Sequence, residues 1–203
     1  MNELMANIPD WFMPTLILLV SILALTVIFE RGWLLLRRIQ LLDIDDERQL
    51  INYIRDKKYE EAESFCRMQS HPAYKVILAV IESRGSKINL KSIAEEENLR
   101  QTAFLEKYLP TLGTISTIAP LLGLLGTVTG MIKSFRAFEQ NVGRSEQLMG
   151  GIDEALITTA LGLIVAIPAL IMYNYYVRRV GTFTEETIVL TDMVIAEFPG
   201  KKK

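Results

Sequence analysis

The sequence is poor in the residues that most solution chemistry needs. It has one cysteine, Cys66, and one histidine, His71. A single cysteine excludes an intramolecular disulfide and any cysteine-cluster metal site. His71 precedes Pro72 in an expected turn and has no second ligand at helical spacing, so no metal centre is expected there. Neither sign of charge dominates: the formal net charge is -2, which gives no electrostatic footprint for nucleic acid. No nucleophile–base set, P-loop or dinucleotide fingerprint is present, so an enzyme on a soluble substrate is not expected and no cofactor is implied. The most informative absence is positional. Asp, Glu, Lys, Arg and His are missing altogether from 11–29, 108–132 and 155–177.

Half of the residues are hydrophobic, the mean hydropathy is +0.23, and the apolar residues concentrate in those three blocks. Each is near or above the roughly 20 residues that a helix needs to cross the hydrocarbon core. The first block does not read as a cleaved leader. Glu3 and Asp10 precede it instead of a basic segment, and Glu30, Arg31 and Trp33 follow it instead of a small-residue cleavage site. The positive-inside rule sets the expected orientation. Arg31, Arg37 and Arg38 follow the first block, Arg100 and Lys107 precede the second, and Arg178 and Arg179 follow the third. Lys133, Arg136 and Arg144 between the second and third are offset by Glu139, Glu146, Asp153 and Glu154.

The expected organisation is therefore a periplasmic N-terminus (1–10), a first span (11–29), a cytoplasmic helical domain (30–107) and a second span (108–132). A periplasmic loop (133–154), a third span (155–177) and a cytoplasmic tail (178–203) follow. Cys66 then sits in a reducing compartment. The fold class is an all-α membrane protein of three transmembrane helices, with long helices extending into the cytoplasmic domain.

Within 30–107, Asp45-Asp46 is expected to cap a helix through Leu50, Tyr53 and Ile54. Tyr59, Ala62, Phe65 and Cys66 recur at helical spacing, and Pro72 suits the first turn of a helix carrying Val76, Ile77, Val80 and Ile81. Arg84-Gly85-Ser86 ends it. A last helix, beginning near Asn89 or Lys91, is expected to run unbroken into the second span. The Glu95-Glu96-Glu97 run reads as a solvated helix face, and Lys201-Lys202-Lys203 as a solubilising end more than a lipid-binding one.

The second and third blocks carry stripes of small residues. Gly123, Gly126 and Gly130 fall three or four apart, and Gly162 follows Ala155 and Thr159 in the third. Such stripes let helix backbones approach closely. Pro120 and Pro168 interrupt the same two helices and can free carbonyls where neighbours or water compensate. Close packing alone would account for these features. Thr127, Thr129, Thr158 and Thr159 add hydroxyls, each able to bond back to its own helix, and together they suggest a wetted path. Asp153 reads as a helix N-terminal charge, favoured by the dipole. Glu154 stands four residues before Thr158, on the same face. No carboxylate lies at mid-membrane depth, where proton relays usually need one, so a lone, self-sufficient proton transporter is disfavoured.

Two segments carry a resemblance. Residues 119–132, APLLGLLGTVTGMI, followed by Phe135, resemble the second-span motif of the ExbB/TolQ/MotA proton-channel family. Residues 151–163, GIDEALITTALGL, continuing into VAIPA and Tyr173-Asn174, resemble its third-span motif, and Glu30-Arg31 fits as well. Three spans rather than four favour the ExbB/TolQ branch. The resemblance implies a homo-oligomeric ring, usually a pentamer, around the single spans of an ExbD/TolR-like partner that carries the missing membrane aspartate. It implies a proton channel and motor in the bacterial inner membrane, coupled through a TonB- or TolA-like protein to an outer-membrane system, with H+ favoured over Na+. Thr127 and Thr159 match the pore threonines, with Thr158 beside them, and Glu154 matches the functional acidic residue of the third span. On an ideal helix Glu154 and Thr159 point about 140° apart, so Glu154 is expected at a subunit contact or channel mouth. The alternatives are a flagellar-type stator subunit, which would be expected to carry a fourth span, and a non-conducting membrane scaffold.

Overall fold

The computed structural model describes residues 9, 11–39, 42–86, 88–140 and 145–198. Residues 1–8 and 10, Arg144 and the Lys201–Lys203 tail lie outside them. The described residues form helices and no strand: α1 (Phe12–Arg38), α2 (Ile44–Arg55), α3 (Tyr59–Met68), α4 (Ala73–Glu82), α5 (Leu90–Glu106), α6 (Leu109–Gln140) and α7 (Ser145–Ala196). Three of them, α1, α6 and α7, are long and apolar enough to cross a membrane. The chain divides into two compact units, one of residues up to Glu30 with Tyr108–Tyr175, the other of Arg31–Lys107 with residues from Tyr176 onward.

The first unit is built from the apolar blocks. Leu18 and Phe29 of α1, Leu121 and Leu124 of α6, and Ile164 and Ile171 of α7 are all exposed. Large aliphatic groups on the outside suit a lipid surround, which is as apolar as they are. The inward residues are small. A Cβ on Gly123 would sit 3.0 Å from the Thr159 Cα, and one on Gly162 would sit 2.6 Å from the Ala119 carbonyl oxygen. Backbone cannot yield as a side chain can, so these glycines set how near α6 and α7 approach. Both helices continue through their internal prolines, Pro120 and Pro168.

The second unit has an ordinary water-excluding core. Leu50 and Ile54 of α2, Ala62 and Cys66 of α3, and Val76, Ile77, Val80 and Ile81 of α4 are buried, at the three- and four-residue spacings of amphipathic helices. Leu90 and Ala94 of α5 and Leu190 and Val194 of α7 complete the cluster. Two arginines cap helix ends in this unit. The buried Arg31 donates to the Phe104 carbonyl in the last turn of α5 at 3.3 Å, and Arg179 donates to the Ile39 carbonyl just past α1 at 2.9 Å. Both carbonyls lie at or just past a helix C-terminus, where carbonyls run out of amides in their own helix.

Three local expectations need correction. The α2 cap is Asp43, whose carboxylate accepts from the Asp45 amide at 3.0 Å; Asp45 and Asp46 occupy the first turn instead. The helix expected to run unbroken from Asn89 into the second span stops at Glu106, and Tyr108 takes a φ of 70° before α6 begins. Pro110 explains the break. It lacks an amide to bond the Glu106 carbonyl, and its ring would clash with that oxygen if the helix continued. In the first turn of a new helix the missing amide costs nothing. Finally, much of the segment read as the 133–154 loop is helical: α6 extends to Gln140 and α7 starts at Ser145. Hydropathy marks where a helix leaves an apolar phase; it does not mark where hydrogen bonding ends.

Candidate functional site

In α6, residues 126, 130, 133, 134 and 137 share one face, and in α7, residues 151, 154, 155 and 158 do so. These two faces, with Pro9, Met13, Pro14 and Thr129, line a cleft of about 210 Å³ in the first unit. Glycines hold its walls together. A Cβ on Gly130 would meet that of Ala155 at 2.9 Å, one on Gly126 would collide with the Thr158 methyl, and one on Gly151 with the Ser134 hydroxyl.

The hydroxyls in this region are buried and committed as donors. Thr129 is 4% exposed and shares its proton between the Leu125 and Gly126 carbonyls at 2.9 and 3.0 Å. Thr158, also 4% exposed, donates to the Glu154 carbonyl at 2.9 Å, and Ser134 donates to Gly130 at 2.9 Å. Each oxygen keeps lone pairs able to accept from water or to ligate a cation. The Glu154 side chain is exposed and contributes to the same cleft.

The residues expected on the path therefore separate. Glu154 and Thr158 come together in the cleft; Thr127 and Thr159 do not line it. Thr127 is buried and donates to Leu124 of its own helix at 2.7 Å. Thr159 is different: its hydroxyl crosses to the Gly123 carbonyl of α6 at 2.9 Å. Residues that sequence reasoning passed over are Lys133 and Ser134. The signal was there, because 126, 130, 133, 134 and 137 continue one helical period. The stripe continues past the end of the apolar block, where hydropathy gives no reason to follow it.

Elsewhere, the solitary His71 packs among aromatic rings, 5.6 Å from Phe183 and 6.3 Å from Tyr74, and its Nδ1 accepts from the Ala73 amide. Among the described residues no three His, Cys, Asp or Glu groups gather as a metal site would need. Cys66 is buried, and burial with the nearby Glu63 pushes its thiol up to about 12, the condition of an inert structural cysteine.

Fold and cleft together define an all-helical membrane protein whose polar groups gather between two small-residue helices. The sequence model of the MotA/TolQ/ExbB proton channel family matches residues 63–187, and the chain belongs to that family, a family of channels rather than enzymes. It is 36% identical over 170 residues to the putative biopolymer transport protein ExbB-like 1 of Synechocystis sp., covering 79% of this chain and 65% of that protein. It is 44% identical over 89 residues to the biopolymer transport protein ExbB of Aquifex aeolicus, covering 41% and 60%. It is 32% identical over 178 residues to the Tol-Pal system protein TolQ of Pseudomonas aeruginosa, covering 78% and 74%. The chain thus spans less than two thirds of the length of these two ExbB-type relatives.

Proposed function

We propose that this chain is the ring-forming subunit of a proton-driven motor in the bacterial inner membrane, with its N-terminus periplasmic and its tail cytoplasmic. The observation that carries the reading is the cleft. Glu154 and three buried hydroxyls line it, while the apolar blocks contain no carboxylate and no histidine to finish a relay. A carboxylate supplied by a second protein, on a single span passing through a ring of these subunits, would complete it. Protons would reach that carboxylate from the periplasmic side by way of Glu154, Thr158, Thr127 and bound water. Neutralising it would release the partner span to move against the ring. One charge falling through about 100 mV supplies ~2.3 kcal/mol, roughly four times RT and enough to bias one step. The names of the relatives support a TonB-type or Tol-Pal-type outlet for that work.

The test is reconstitution of the full chain with its single-span partner in liposomes carrying a pH-sensitive dye, under a potassium diffusion potential. Native mass spectrometry should find several copies of this chain holding the partner. Glu154→Gln should assemble normally and lose most of the proton flux. Full flux in that variant would exclude Glu154 from the path. No flux in the wild type would favour a non-conducting scaffold, a reading with one observation on its side: the Thr159 hydroxyl is engaged in joining two helices.

A further inference from the structure

The cleft holds the makings of a site for a hard cation. Thr129, Thr158 and Ser134 each direct their proton to a helix carbonyl. Their oxygens are left as acceptors in a lining that also includes Glu154. Oxygen donors of this kind, with one negative charge, are what a small alkali or alkaline-earth ion seeks. A proton has other needs. It moves along hydrogen-bonded hydroxyls, carboxylate and water, and collects no coordination shell. Among the described residues the lining contains one further charged residue, Lys133, half-buried one residue before Ser134. It brings a positive charge to the same lining as the Glu154 carboxylate and the three hydroxyls.

We infer that Lys133 is a specificity-determining residue of the ion path, an internal cation that denies the cleft to sodium while leaving a route for protons. This rests on the proton-path reading of the same cleft. A unit charge held in a cleft of this size opposes a second cation at close range, where water screens it poorly. The residue accounts for proton selectivity in a place whose hydroxyls and carboxylate would otherwise suit either ion.

The experiment uses the full chain with its partner in liposomes, sodium chloride replaced stepwise by choline chloride at constant ionic strength. Wild type should show a proton flux indifferent to sodium, and its thermal melting in detergent should not respond to sodium over choline. In Lys133→Gln and Lys133→Met, sodium should suppress the proton flux by about ten-fold or more, the scale of removing one nearby like charge, and should raise the melting temperature where choline does not. Lys133→Arg, which keeps the charge, should restore indifference to sodium. Proton flux and melting that ignore sodium in both neutral variants would overturn the proposal and leave the proton path standing. A wild type whose flux sodium already suppresses would overturn it too. A wild type without proton flux would remove the path itself and the proposal with it.

Discussion

The two units of this chain are packed by opposite rules. In the unit of Arg31–Lys107 with the residues from Tyr176 onward, the largest side chains are inside: Tyr74, Ile77, Ile81, Leu50 and Ile54 are almost wholly buried. In the unit that holds the apolar blocks, Leu121, Leu124, Ile164 and Ile171 are outside, and Gly123, Gly162, Ala119, Ala166 and Thr158 are inside. Water makes the first arrangement favourable, since removing a large aliphatic group from water gains about 1.5–3 kcal/mol. Lipid offers no such gain. Helices there associate through close backbone approach and hydrogen bonds, both of which small and hydroxylated residues provide. The consequence for function is direct: a membrane unit that packs through hydroxyls already carries polar groups where an ion could travel.

Four substitutions would break or sharpen this contrast. The largest effect is expected from Gly162→Leu, where the new Cβ would press on the Ala119 carbonyl. No monodisperse complex should survive size-exclusion chromatography. Gly181→Leu lies in the same helix with nothing within 4 Å of its Cβ, and should leave the elution profile alone. Normal assembly of Gly162→Leu would mean that α6 and α7 are not held by backbone proximity.

Next comes Ile77→Ala in the water-facing unit, expected to cost about 2–5 kcal/mol as a large-to-small core change. Cys66 is a built-in reporter, since it is buried in the same core. Its alkylation should be very slow in the wild type and accelerate more than about ten-fold in the variant. Unchanged labelling would show that this core does not open as one body.

Thr159→Val should cost less, about 0.6–2 kcal/mol for one interhelical hydrogen bond in a membrane. Thr159→Ser, which keeps the bond to Gly123, should melt like the wild type. Equal melting in both variants with proton flux lost only in the valine form would move Thr159 from packing to the path.

The smallest effect concerns pH. Burial, and then the charge of Glu186, push the Glu47 carboxyl above its ordinary value of 4.5. The folded state therefore binds more protons than the unfolded one just above that pH, and its stability falls as pH rises through the folded value. Glu47→Gln should flatten that part of a melting-temperature profile. A slope identical to the wild type would show that other carboxylates set it.

Much of the molecule was legible because its physics is local. An uncharged block of about 20 residues can hardly do other than cross a bilayer, and Leu50/Ile54 or Ala62/Cys66 at four-residue spacing fix a buried helix face. The glycine stripes could be read as close-approach surfaces before any partner helix was known. The break at Tyr108 is also written in the chain, in Pro110, but it shows only when the carbonyl four residues back, that of Glu106, is followed and found to have no amide to meet.

Other features belong to the tertiary structure alone. One sequence period places Glu154 with Thr158; it says nothing of Thr129, Lys133 and Ser134, which reach the same cleft from a different helix. Nor does spacing tell a threonine that bonds its own helix, as Thr127 does, from one that crosses to another, as Thr159 does. A hydroxyl chooses between two carbonyls of similar strength, and only the position of the neighbouring backbone decides which is within reach. The sequence by itself determined the medium each segment occupies and the face each helix turns inward; the approach of α6 to α7 decided which polar groups share a space.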